Sequence, residues 1–261
     1  MELILTLDVG TTSVKACLFD RQLRQTALTS REYALQTRGV CAEVEAQVYL
    51  DAAAQCILAL PAEARAKVCA VALTTQGETL LCVDRQGKAL RPAIVWLDSR
   101  AEAQAARLAA ALDRQRFYER TGLPELSGAL PLAKLLWLRE QEPESWARTD
   151  KFLLLEDYLM LWLTGRAVTE KSLLTSTGYF DLQSDDYWDE ALALAELDRT
   201  RLPQALACGS IVGPVLPEVA EALGLPASAC VVTGAMDQTA AALAAGCTRP
   251  GTLCETTGTA M

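Results

Sequence analysis

A run of strand formers, Leu3-Ile4-Leu5-Thr6-Leu7, leads directly into Asp8-Val9-Gly10-Thr11-Thr12-Ser13, and beyond that turn Val14, Ala16 and Leu18 alternate with Lys15, Cys17 and Phe19. A period of two marks a strand that buries one face. Two such strands joined by a Gly-Thr-Thr-Ser turn make a hairpin, and a hairpin with a buried face needs a larger sheet to belong to. A third strand is expected around residues 27–35. A helix is expected over 47–60, stopped by Pro61, and a buried strand over 68–74. Residues 79–83, with the turn Asp84-Arg85-Gln86-Gly87, form a further hairpin arm, and Ile94-Val95-Trp96 is strand-like. An Ala-rich helix follows over 99–112, opened by Ser99-x-x-Glu102 as a capping box. The order β-β-β-α-β predicts a mixed α/β fold.

From about residue 114 to 201 the texture changes. Helices are expected over 132–139 and 156–163, the second ending at Gly165, and tryptophans stand at 137, 146, 162 and 188. This stretch is expected to be a helical insertion on the α/β core. The main pattern resumes near Gly209 with a helix over 217–223, a strand over 230–233, Gly234-Ala235-Met236-Asp237 and a helix over 238–245. Strand-like Thr252–Glu255 then runs into Thr256-Thr257-Gly258-Thr259. A strand and turn of this kind normally continue into a partner, so the chain is expected to be cut from something longer.

Composition removes whole classes of chemistry. The 261 residues contain no histidine, which excludes Ser-His-Asp and Cys-His catalysis and His-ligated zinc. With 24 basic and 33 acidic residues the net charge is −9, the wrong sign for wholesale nucleic-acid binding. Nine cysteines with no Cys-x-x-Cys spacing fit neither a closed disulfide framework nor a zinc ribbon. Several lie in apolar company, as in Val68-Cys69-Ala70-Val71, and are expected to be reduced core residues of a cytoplasmic protein. No signal peptide is expected at the N-terminus, and no uncharged stretch is long enough for a membrane span, so no membrane partner is expected.

Four constellations could carry chemistry. Asp8 with Gly10, Thr11, Thr12, Ser13 and Lys15 aims backbone and hydroxyl donors at one spot, as a phosphate requires, and Asp8 could hold magnesium through water. The same residues also fit an ordinary hairpin turn. Thr256-Thr257-Gly258-Thr259 echoes that turn, by design or by coincidence. Asp237-Gln238 opens a helix: its carboxylate suits an N-cap and equally a base for phosphoryl transfer to an alcohol, where positioning matters more than basicity. Gln76 and Glu78, with Trp96 and Asp98, could bind a polyol through hydrogen bonds and an apolar ring face; a turn and a helix cap are the plainer alternatives.

Taken in order, these segments resemble the FGGY carbohydrate kinase family of glycerol kinase, xylulokinase and gluconokinase. The resemblance runs from Leu3 to Thr259 through Asp8–Ser13, Thr75-Gln76-x-Glu78-Thr79, Ala93–Trp96, Lys134–Trp137, Gly213–Ala220, Gly234-x-x-Asp237-Gln238 and Gly258-Thr259. It implies a ribonuclease-H-like (actin-like ATPase) mixed sheet flanked by helices. It further implies ATP-dependent phosphorylation of a sugar or polyol, with Mg2+. By resemblance Asp237 is the catalytic base and Asp8 the magnesium-associated carboxylate. Gly10, Thr11, Thr12, Ser13 and Lys15 form the first phosphate loop, Gly258 and Thr259 the second. Gln76, Glu78, Trp96, Asp237 and Gln238 fall where relatives contact substrate. Residues 1–247 then form the sugar-binding domain and 248–261 open a truncated nucleotide-binding one. Glycerol kinases carry arginine at the place of Gly77 and tyrosine near Ala129, and xylulokinases carry Met-His at Thr75-Gln76, so neither substrate carries over. A homodimer stays open. The alternative function is a catalytically idle carbohydrate-binding or interaction module using the same cleft.

Overall fold

A six-stranded sheet organises the computed structural model, which describes residues 2–255. Its order is β14 (Ile211–Pro214), β15 (Cys230–Met236), β6 (Val68–Thr75), β1 (Leu3–Val9), β2 (Ser13–Phe19) and β3 (Gln25–Glu32). The alternation seen in the sequence is real. Leu3, Leu5, Leu7 and Val9 on β1 and Val14, Ala16 and Leu18 on β2 are all buried, and the hairpin register pairs Asp8 with Lys15. Strands β1, β6 and β15 run parallel, with Asp8 beside Thr74 and Thr74 beside Ala235. The core on the buried face is completed by α1 (Ala46–Ala59), α7 (Leu155–Thr164) and α10 (Pro217–Leu223). Leu60, after α1, is extended, as the residue before Pro61 must be.

A second, five-stranded sheet has the order β4 (Gln36–Arg38), β5 (Cys41–Val44), β8 (Ala93–Ile94), β7 (Leu80–Val83) and β9 (Lys151–Leu154). Its central strands lie between two cores. Leu81, Val83, Ala93 and Leu153 face the first, whereas Leu80, Cys82, Ile94, Phe152 and Leu154 face a second built with α3 (Glu102–Ala111), α4 (Arg114–Thr121) and α5 (Pro131–Gln141). Burial on both faces explains why Leu80–Val83 shows an unbroken apolar run.

Residues 114–201 are not purely helical. They do hold α4, α5, α6 (Pro143–Arg148), α7, α8 (Lys171–Leu174) and α9 (Asp189–Leu194). They also supply β9, which extends the second sheet, β10 (Val168–Glu170), which pairs with β13 (Gln204–Leu206), and the pair β11 (Phe180–Asp181) with β12 (Asp186–Tyr187). Helix α7 belongs to the first core, and Gly165 caps it at φ 71°.

Three local expectations are corrected. The box Ser99-x-x-Glu102 does not form: α3 starts at Glu102, the Ser99 N–H donates to the Val40 carbonyl, and the Glu102 carboxylate accepts from the Gly128 N–H. Residues 252–255 are in no strand and pair with no strand among the described residues. Cys69 is exposed rather than buried, because it alternates with buried Val68 on β6; Cys56 and Cys82 are the buried ones, and all nine are free thiols. Helix α2 (Ala62–Arg65) is a single exposed turn. No helix among the described residues is long and apolar enough to cross a membrane.

Candidate active site

The first turn is closed locally. The Gly10 N–H donates to the Ser13 carbonyl at 3.0 Å, the Tyr33 N–H to the Thr12 carbonyl at 2.9 Å, and the Tyr33 hydroxyl to the Gly10 carbonyl. Thr12 is exposed, and Gly10, Thr11 and Ser13 are half-buried. Asp8 ends β1 on the face opposite Leu7 and Val9 and meets Lys15 across the hairpin at 3.4 Å. Both side chains are open to solvent, so the pair contributes at most about 1 kcal/mol and either partner can turn to a ligand.

Asp237 reaches the same end of the sheet from β15. The ladder between β15 and β6 is interrupted between Val232 and Ala235, and there the backbones press together: a Cβ on Gly234 would stand 1.4 Å from the Leu73 carbonyl oxygen. The Thr74 hydroxyl donates to the Ala235 carbonyl at 2.7 Å. The chain leaves the sheet at Met236 and turns straight into α11 (Asp237–Ala244). Asp237 is thus the first helical residue rather than the N-cap, and its Oδ1 accepts the Gln238 N–H at 2.6 Å. Gln238 is exposed.

Strand β6 sits between β1 and β15, so the strands carrying Asp8 and Asp237 lie roughly 10 Å apart. Past the end of β6 come Gln76-Gly77-Glu78. Gln76 is buried, donates through Nε2 to the Tyr49 hydroxyl at 3.3 Å, and leaves its Oε1 without a partner among the described residues. Glu78 has φ 61° and is spanned by a bond from the Thr79 N–H to the Gly77 carbonyl at 2.8 Å. A left-handed, non-glycine residue in so tight a turn is strained, and such residues concentrate at functional sites. Gly77 packs against Met236 and Ser176, its virtual Cβ lying 3.0 Å from Met236 Sδ and 3.3 Å from Ser176 Oγ. Trp96, half-buried, donates from Nε1 to Thr11 Oγ1 at 2.9 Å, which joins the expected sugar residue to the expected phosphate turn. Asp98 neither caps a helix nor faces the crevice: fully buried, it takes the Ala42 N–H at 2.6 Å and chelates Arg100.

Lys134 had no role assigned from sequence. It is completely buried on α5 and donates to the Val95 carbonyl at 2.9 Å and the Glu78 carbonyl at 3.5 Å, tying the Trp96 segment to the Glu78 turn. Burial pushes its pKa down to about 8, against the pull of Asp98 and Glu78. One lysine inside Leu132-Ala133-Lys134-Leu135-Leu136 was the available signal.

Two carboxyls of the site, Asp237 and Glu78, are shifted by their surroundings. Burial lifts Asp237 above the usual carboxylate range, the Gln238 N–H opposes this, and the charge of Asp8 adds to it. Glu78 is raised by burial, lowered by Lys134 and Ser176, and raised again by Asp237. The structure therefore brings together Asp8, Thr11, Trp96, Glu78 and Asp237, with Gln76 behind them. Gly258 and Thr259 lie outside the described residues. A polar, partly exposed group of side chains at the carboxyl ends of parallel strands, with a donor-rich turn on one side and a carboxyl of raised pKa on the other, suits a polar, anionic ligand beside a hydroxyl-bearing one.

Comparison with known proteins identifies the family. Residues 3–244 match the model of the FGGY family of carbohydrate kinases, N-terminal domain. The chain is 32% identical over 250 residues to the xylulose kinase of Lactococcus lactis, covering 94% of this chain and 50% of that protein, and 26% identical over 258 residues to the gluconokinase of Bacillus subtilis, covering 98% and 50%. The crystal structure of the xylulose kinase from Rhodospirillum rubrum superposes with a TM-score of 0.89 at 30% identity, over 96% of this chain and 52% of that one. The chain spans about half the length of the curated relatives it matches. Its fold is the ribonuclease-H-like, actin-like ATPase fold, and the chain belongs to the FGGY family of carbohydrate kinases, matching their N-terminal domain.

Proposed function

We propose that this domain is the sugar-holding half of a kinase that transfers a phosphoryl group from ATP to a hydroxyl of a sugar or polyol, residues 1–247 forming that half and 248–261 opening the nucleotide-binding one. The observation that supports it best is that Asp8 and Asp237, some 230 positions apart in sequence, come to the same end of the sheet, close enough for the charge of Asp8 to help raise the Asp237 carboxyl. Gly10, Thr11, Thr12 and Ser13 offer donors for phosphate, with Lys15 freed from Asp8 to join them; Gly258 and Thr259 complete the cradle in this reading. Gln76, Glu78, Trp96 and Gln238 hold the acceptor, the orphaned Gln76 Oε1 taking a hydroxyl donor. Asp237 accepts the proton of the attacking hydroxyl, and its raised pKa brings it nearer the operating pH, where a general base is most effective. Magnesium takes one or two carboxylates and fills its other positions with water and phosphate oxygens. Asp8, with Asp237 opposite, fits that donor set, although no cage of three or more ligating residues exists among the described residues. Bound ATP supplies the transferable group and Mg2+ offsets its charge.

The test uses Asp237→Asn in an enzyme that joins this domain to the second half found in its relatives. We expect kcat to fall about 10²–10⁴-fold, with KM for the sugar little changed. Near-normal turnover would remove Asp237 from the chemistry. In the same assay the 261-residue chain alone should release almost no ADP in response to sugar; brisk release would show that the phosphate site is complete without the second half.

A further inference from the structure

Strand β14 pairs only with Cys230–Val232, so beyond Val232 the outer side of β15 has no strand partner among the described residues. Two side-chain carboxyls stand there instead. Glu156 on α7, fully buried, accepts the Gly234 N–H on Oε1 at 3.1 Å. Glu170 at the end of β10, also fully buried, accepts the Met236 N–H on Oε1 at 3.2 Å, and Ser172 Oγ accepts the same N–H at 3.0 Å. Glu170 is itself held by four further donors: the Ser172 N–H at 2.7 Å, the Leu173 N–H at 2.6 Å, the Ser172 hydroxyl at 2.6 Å and the Cys208 thiol at 2.8 Å. Buried backbone N–H groups are rarely left unpaired, and here the partners come from three elements remote in sequence, α7, β10 and α8.

We propose that Glu156, Glu170 and Ser172 are positioning residues: by replacing the missing strand along Gly234 and Met236, they set the direction in which Asp237 leaves the sheet. This rests on Asp237 being the base proposed above. A carboxylate acceptor is rigid at Glu170, where every contact is a donor to it. Glu156 differs. Burial, with Glu170 close by, raises its carboxyl well above the usual range, and its Oε1 can take the N–H whether or not the acid is ionised. An amide can do the same; an alkyl chain cannot.

The experiment is amide hydrogen exchange on the 261-residue chain, together with the 13C resonance of the Asp237 carboxyl at one fixed pH. Glu156→Gln should leave Gly234 exchange and the Asp237 resonance as in the parent. Glu156→Leu should speed Gly234 exchange about 5–10-fold and move the Asp237 resonance, as loss of one buried hydrogen bond implies. Unchanged exchange and resonance in a folded Glu156→Leu chain would overturn the proposal, as would a Glu156→Gln chain that behaves like Glu156→Leu. Should Glu156→Leu not fold, Ser172→Ala decides: Met236 exchange about threefold faster with a shifted Asp237 resonance supports the proposal, and no change in either refutes it. Neither readout requires Asp237 to be a base, so failure here is distinct from failure of the kinase reading, which the turnover of Asp237→Asn reports.

Discussion

The Gly10–Ser13 turn and the Gly234–Asp237 junction border the same crevice but are held by different means. The turn closes through a bond between residues three apart, with Tyr33, just past the end of β3, as a brace. The junction departs from its ladder at the residues that matter and is held by Glu156, Glu170 and Ser172, which are 78, 66 and 64 positions away. Local closure makes a motif that survives changes elsewhere. Remote closure makes the placement of Asp237 depend on α7, β10 and α8 together.

Paired glycine substitutions test that contrast most severely. Gly234→Ala puts a methyl group 1.4 Å from the Leu73 carbonyl, backbone against backbone, with no flexible side chain to give way. We expect a loss of at least about 4 kcal/mol, in the exceptional class of point mutations, seen as a non-cooperative or absent urea transition. A Gly234→Ala chain that unfolds near the parent midpoint would mean that β15 can slide off β6, and that the junction is looser than its contacts indicate.

The next largest effect is one of pH, and it also belongs to the junction side. Glu156 is held well above the usual carboxylate range, and Asp157, fully buried beside it, is pushed up to about 8 by burial. In the unfolded chain both titrate near 4, so between about pH 4 and pH 8 the unfolded state binds fewer protons than the folded one. Stability is therefore fully present below about pH 4 as far as these groups go, and falls as pH rises toward 8, by up to about 1 kcal/mol per pH unit for Asp157, with Glu156 acting in the same sense. The lowered carboxyls Asp181 and Asp186 work in the opposite sense, but only on acidification below about pH 4. Urea midpoints at pH 5, 6.5 and 8 should decline in that order, and Asp157→Asn should flatten part of the decline. A midpoint that rises over this interval would show that these acids are not buried as described.

Legibility in the sequence followed the same division. The β1–β2 hairpin, α1 with its stop at Pro61, and α10 over Pro217–Leu223 were readable because alternation, a proline and a glycine after the last turn act within a few residues. The Ser99–Glu102 box was misread because a tertiary contact, Gly128 to Glu102, outcompeted a local one. Residues 114–201 looked helical because β9, β10, β11 and β12 are only two to four residues long, too short to show a period. In the site, Asp8, Glu78, Trp96 and Asp237 were nameable as types of residue at strand ends. Lys134, Glu156 and Glu170 were not, since a buried charge shows its partners only once distant elements are brought together.

Gly10 gives the smallest expected effect on stability and the sharpest separation of structure from function. Its φ is not left-handed, and an added Cβ would meet nothing nearer than the Ser13 carbonyl oxygen at 3.6 Å, an ordinary contact. Gly10→Ala is therefore free of strain, and by narrowing the unfolded ensemble it should stabilise by about 0.4–1 kcal/mol. If glycine is there only to make a turn, the substitution is an improvement without consequence. If it is there so that a phosphate can approach the backbone, the methyl group occupies that approach. We expect Gly10→Ala to raise the urea midpoint slightly and, in the enzyme joined to its second half, to raise KM for ATP at least about tenfold, the loss of one close backbone–phosphate contact. An unchanged KM would reduce the turn to a connector and leave Asp237 without a phosphate site opposite it.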